Sequence, residues 1–124
     1  MISKIVFVNG IYDILCSIAI LGIIPIPILD QLHLSMIKDS QECNQLCKRF
    51  FAYYIGMNGI IRLICSADLY EDLPKILVCI TYILEAVIVI NETFIAKTMI
   101  VEKGLFVIIT SLFLVYCVAI LGKL

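Results

Sequence analysis

Three ionisable side chains stand inside apolar runs long enough to cross a bilayer: Asp13, Arg62 and Glu85. A charge at the centre of a spanning helix costs roughly 3 kcal/mol on insertion scales. Such a group must turn inward, pair, line a wet cavity or give up its charge. Two kinds of chemistry suit an acid–arginine–acid group. It can specify which helix faces which through charge-assisted hydrogen bonds. Alternatively it can form a small polar cavity that binds a lipid headgroup or passes protons. The sequence favours the first, and the second is the sharper alternative.

Spacing says which neighbours share a face with these charges. Tyr54, Asn58, Arg62 and Ser66 follow at i, i+4 intervals and form one polar ridge on a helix. Asn9, Asp13 and Ser17 form a second, and Thr81 precedes Glu85 by one turn. Gly56 and Gly59 lie off the first ridge, where they would let a neighbouring backbone approach closely. The expected buried seam is Asp13, Asn58, Arg62 and Glu85.

Composition decides what surrounds that seam. Of 124 residues, 63% are hydrophobic and 15% charged, and the mean hydropathy is +1.13. Soluble domains run at about half apolar and about a quarter charged, so the chain reads as an integral membrane protein in contact with membrane lipid. Its length suits one domain. A net charge of −1 offers no basic surface for nucleic acid. Cys16, Cys65, Cys79 and Cys117 fall in apolar runs and act as small apolar residues. Cys43 and Cys47, one turn apart in a polar stretch, read as free thiols. With one histidine, His33, to which no role is given, no metal site and no cofactor are expected.

The elements follow from the apolar runs. The first span is expected over 2–24, ended by Pro25-Ile26-Pro27. Asn9 and Asp13 interrupt the run, which is also too long for a signal peptide. Residues 29–48 are polar, with Leu32, Leu34, Met36 and Ile37 suggesting contact with the membrane surface. Further spans are expected over 50–68, 73–91 and 104–121. The short Asp68–Pro74 connection makes the second and third antiparallel neighbours, and Asp72 can cap the third. The fold class is all-α, an integral membrane four-helix bundle. Lys38, Lys48, Arg49, Lys97 and Lys103 share one side, against Lys4, Lys75 and Lys123 on the other, which mildly favours the former as cytosolic. No phosphate-binding glycine loop, nucleophile elbow or zinc helix is present, so an enzyme is the least supported class.

The segment from Arg49 to Gly104 resembles the ergosterol biosynthetic protein twenty-eight family. The similar elements are Arg49 with Phe51 and Tyr54, then Ile61-Arg62 with Cys65 and Asp68. After the third span come Asn91-Glu92, Phe94, Thr98 and Gly104. The first span, the Pro25–Pro27 break and Glu85 lie outside the matched pattern. The resemblance implies a small four-span protein of the endoplasmic reticulum, a non-catalytic scaffold that tethers the membrane enzymes of sterol C-4 demethylation. It also implies that Arg49, Arg62, Asp68 and Glu92 are signature polar positions that orient helices or present a docking surface. The alternative from the residues alone is a small transporter or lipid-binding protein built on the Arg62 seam.

Overall fold

The computed structural model describes residues 1–38 and 44–121. Cys43 and Lys123 lie outside them. Helix α1 spans Ile2–Ile20, and a short helix α2 spans Leu29–Leu32, followed by a 3-10 turn over Leu34–Met36. Helix α3 spans Gln45–Cys65 and runs into a 3-10 turn over Ser66–Asp68. Helix α4 spans Asp72–Ile90, continues as a π-helical turn over Asn91–Ile95, and is followed by α5 over Val101–Leu121. α1, α3, α4 and α5, taken with their helical extensions, are each long and apolar enough to cross a membrane. The protein is an all-α, multi-pass membrane bundle.

Helix ends are set by caps rather than by where hydropathy changes. α1 stops at Ile20, short of the expected Pro25–Pro27 break. Gly22 takes a φ of +73°. Its N–H donates to Ala19 O at 3.1 Å while Ile23 N–H donates to Ile18 O at 3.2 Å. These two bonds make a Schellman cap, which glycine favours because it reaches the left-handed region without strain. α3 begins at Gln45, before the apolar run at Phe50, because the Asn44 side chain accepts from Cys47 N–H at 2.8 Å and caps it. Glu71, not Asp72, holds the N-cap position of α4. Asp72 stands in the first turn and pairs with Lys75 at 3.7 Å. Lys97, at φ 58°, reverses the chain after the π turn, so α5 starts at Val101 rather than Gly104.

α1 packs along α3, and α4 packs along α5. The α1–α3 contact is close because both helices present glycine there. A Cβ on Gly10 would stand 2.8 Å from Gly59 O and Leu63 N, and one on Gly59 would stand 2.8 Å from Gly10 O. Small residues at a crossing let membrane helices gain dispersion contact where lipid offers no hydrophobic drive. Ser17 adds a hydrogen bond across it, donating to Ala52 O at 2.7 Å.

Two apolar clusters hold the pairs together at opposite ends. One joins Ile2, Val6, Cys65, Leu69, Val78, Tyr82, Cys117 and Val118. The other joins Met36, Val89, Met99 and Ile108. The second cluster depends on the polar connection, which is tied down by Lys38 N–H to Thr98 O and Ile100 N–H to Met36 O, both 2.8 Å. The polar seam and a cavity lie between the clusters.

Candidate functional site

Arg62 is on the last full turns of α3 and is 1% exposed. Because α1 runs antiparallel beside α3, Asn9 and Asp13 reach its depth. α4, which returns from the short connection, brings Thr81, Tyr82 and Glu85 to it. Nη1 donates to Asp13 Oδ2 at 2.6 Å and to Asn9 Oδ1 at 3.1 Å. Nε donates to Thr81 Oγ1 at 3.0 Å, and Nη2 donates to Glu85 Oε2. The guanidinium carbon lies 3.9 Å from the Tyr82 ring centroid, so the ring covers one face of the cation. Tyr82 Oη donates to Asn9 Oδ1 at 2.7 Å, which ties the covering ring into the same network.

The guanidinium has five N–H groups, and four are occupied by these partners. Two carboxyls face one guanidinium, so the group carries no net positive charge while either carboxyl is ionised. Asp13 is as deeply buried as Arg62, whereas the Glu85 side chain keeps 25% of its surface. The seam is therefore sealed on the α1 side and open on the α4 side.

It opens into a cavity of about 490 Å³. Asp13, Tyr54, Asn58, Arg62, Glu85 and His33 line it on the α1, α3 and α4 side. Phe106, Val107, Thr110, Ser111 and Leu114 form the α5 wall. Residues of α3 and α5 face each other across this cavity. His33 sits between Tyr12 and Phe51, with ring centroids at 5.6 and 6.1 Å. Burial lowers its pKa below the usual histidine value, and Glu85 opposes that shift.

Of the four seam residues expected from the sequence, Asp13, Arg62 and Glu85 meet directly. Asn58 lines the cavity one turn from Arg62. Ser66, at the end of the same ridge, turns back to Leu63 O at 2.8 Å. Sequence reasoning did not find the role of Tyr82 or the place of His33. Tyr82 follows Thr81 and is one turn from Val78, so its spacing reads as core. No pattern marks His33, because its neighbours come from two other helices. Among the described residues no group of three or more His, Cys, Asp or Glu is placed to hold a metal.

The Erg28 like protein family matches residues 4–121, nearly the whole chain. The chain belongs to this family. No curated protein and no solved structure matches it. Membership implies sterol biosynthesis and the membrane of the endoplasmic reticulum. The match reaches well beyond the resemblance over 49–104, to include most of α1, with Asn9 and Asp13, and all of α5. Glu85 also lies within the matched range.

The other polar positions to which the resemblance drew attention, Arg49, Asp68 and Glu92, do not join Arg62. Arg49 is exposed on the first turns of α3. Glu92 stands at the same end of the bundle, in the π turn. Its carboxyl accepts from Thr98 Oγ1, and its carbonyl accepts from Thr98 N–H at 2.8 Å, closing the reversal at Lys97. Asp68 is exposed at the opposite end, where it accepts from Tyr70 Oη at 3.2 Å.

Proposed function

We infer that this Erg28-like chain is a non-catalytic scaffold, one four-span domain that tethers sterol- or lipid-metabolising enzymes in the endoplasmic reticulum membrane by helix–helix contact. The observation that carries this reading is the family match over residues 4–121. The site adds support. Arg62 spends its donors on α1 and α4, which is what a lock between helices does. Such a lock keeps the outer faces of the bundle in constant relation. Those faces are apolar and exposed; Ile109 and Phe113 on α5 are each more than 60% accessible. In a bilayer such a face can pack against the spanning helix of a partner. Arg49 and Asp68 are exposed at the two ends, and in this reading they set the register of that packing.

Purification from mildly solubilised membranes after crosslinking tests this. The enzymes of sterol C-4 demethylation should be captured, and Arg49→Ala together with Asp68→Ala should reduce capture while the bundle stays folded. Recovery of the chain alone would overturn the scaffold.

A further inference from the structure

The scaffold reading leaves the cavity between α3 and α5 without a task. Its size, about 490 Å³, falls within the roughly 300–1,000 Å³ of ligand pockets. It runs along the bundle. Phe51 and Arg62 both line it and stand eleven residues apart on α3, about 16 Å at a rise of about 1.5 Å per residue. The two long walls differ in degree: the α1, α3 and α4 side carries Asp13, Arg62 and Glu85, while α5 presents Phe106, Val107 and Leu114 with the uncharged Thr110 and Ser111 among them, and Glu102 and Lys103 at its first turn. An occupant is therefore amphiphilic along its length.

Hydrogen-bonding capacity then decides the head. Tyr54 Oη and His33 Nδ1 are buried, line the cavity and have no hydrogen-bond partner among the described residues. Asp13 and Glu85 each meet the guanidinium through one oxygen, which leaves the other free to accept. Arg62 has one N–H left. The free capacity is thus mainly for accepting, with single donors beside it. A hydroxyl group, which donates once and accepts, suits that pattern. A phosphate or carboxylate suits it less, since internal partners hold the guanidinium fork beside two carboxyls, and the other cation on the wall, Lys103, donates to Ser35 O and stands next to Glu102.

We propose that this cavity binds one neutral, hydroxyl-bearing lipid, with its hydroxyl seated among Glu85, Tyr54 and His33 and its hydrocarbon along α5. The site is independent of the scaffold reading, because it uses the interior of the bundle and the scaffold uses the exterior.

The test is photolabelling of the full chain in nanodiscs, with matched probes: a photoreactive monoacylglycerol, a photoreactive cholesterol analogue, and the lysophosphatidic acid with the same acyl chain as the monoacylglycerol. At least one neutral probe should label saturably, on peptides from α3 and α5, and whichever labels identifies a glycerolipid or a sterol alcohol as the occupant class. The lysophosphatidic acid should compete at least tenfold more weakly than the monoacylglycerol. Thr110→Phe, which adds bulk at an exposed position on the α5 wall, should abolish saturable labelling. Tyr54→Phe removes one donor without changing shape and should weaken labelling about fivefold. Absence of saturable labelling, equal competition by lysophosphatidic acid, or labelling unchanged in both variants would overturn the proposal. Should Thr110→Phe fail to fold, the Tyr54→Phe result decides. Capture of enzymes by the Thr110→Phe chain, scored in parallel, reports on the scaffold separately.

Discussion

Replacing Arg62 by methionine keeps the side chain long and apolar but removes the cation. Four hydrogen bonds go with it, to Asn9, Asp13, Thr81 and Glu85. At an average near 0.6 kcal/mol for polar contacts between membrane helices, they sum to roughly 2.5 kcal/mol. The larger effect falls on what remains. Asp13, with its side chain 6% exposed, is left without its ion-pair partner, and removing one member of a buried pair costs about 3–5 kcal/mol. Glu85 faces the cavity and keeps a quarter of its surface, so its share is smaller. We expect Arg62→Met to destabilise the bundle by about 3–5 kcal/mol. Asp13→Asn should destabilise the parent protein. In the Arg62→Met background the same change should restore about 1–2 kcal/mol, because it removes an orphaned charge. Unfolding in mixed micelles with increasing sodium dodecyl sulfate measures this. The near-ultraviolet tyrosine signal can follow it, since the chain has six Tyr and no Trp, and Tyr82 lies against the guanidinium. Equal midpoints for parent and Arg62→Met, or additive losses from the two substitutions, would refute the reasoning.

Other perturbations probe separate parts of the fold. Gly10→Ala places a Cβ 2.8 Å from backbone atoms of Gly59 and Leu63 and should cost about 1–3 kcal/mol by forcing α1 and α3 apart, read by the same titration. His33 has a folded pKa below its unfolded one. The unfolded chain therefore takes the proton first, and the contribution of neutral His33 is complete above the unfolded value of about 6.5 and lost as pH falls below it. Stability measured between pH 8 and pH 5 should decline toward acid, and His33→Phe should flatten that decline. Cys47 is exposed at the end that carries Lys48 and Arg49. In sealed microsomes a membrane-impermeant maleimide should label it in a Cys43→Ser background without detergent; labelling only after permeabilisation would reverse the orientation expected from the charge bias.

Arg62 stands out in the sequence through an energetic argument that needs no coordinates. A guanidinium in hydrocarbon requires acceptors, and the chain has two carboxyls at comparable distances into other spans. The helix ends were less legible. Hydropathy marks where the chain leaves the lipid, whereas a helix stops where its last carbonyls or first N–H groups find other partners. Gly22 and Asn44 do this, the first inside the expected span and the second outside it. Pro25 and Pro27 were the stronger punctuation, but the Schellman cap at Gly22 acts first.

What the residues determined by themselves is partition and local face: four apolar runs that must enter the membrane, and polar ridges that must turn from lipid. These properties depend on transfer free energy and helical period, which are local to each segment. Only tertiary structure decided that Tyr82 covers the cation, that His33 reaches a site formed by other helices, and that α3 and α5 face each other across a cavity. Those depend on how far one rigid helix stands from another. That distance is set by packing at Gly10 and Gly59, and at the Met36–Met99 cluster, so no single segment encodes it.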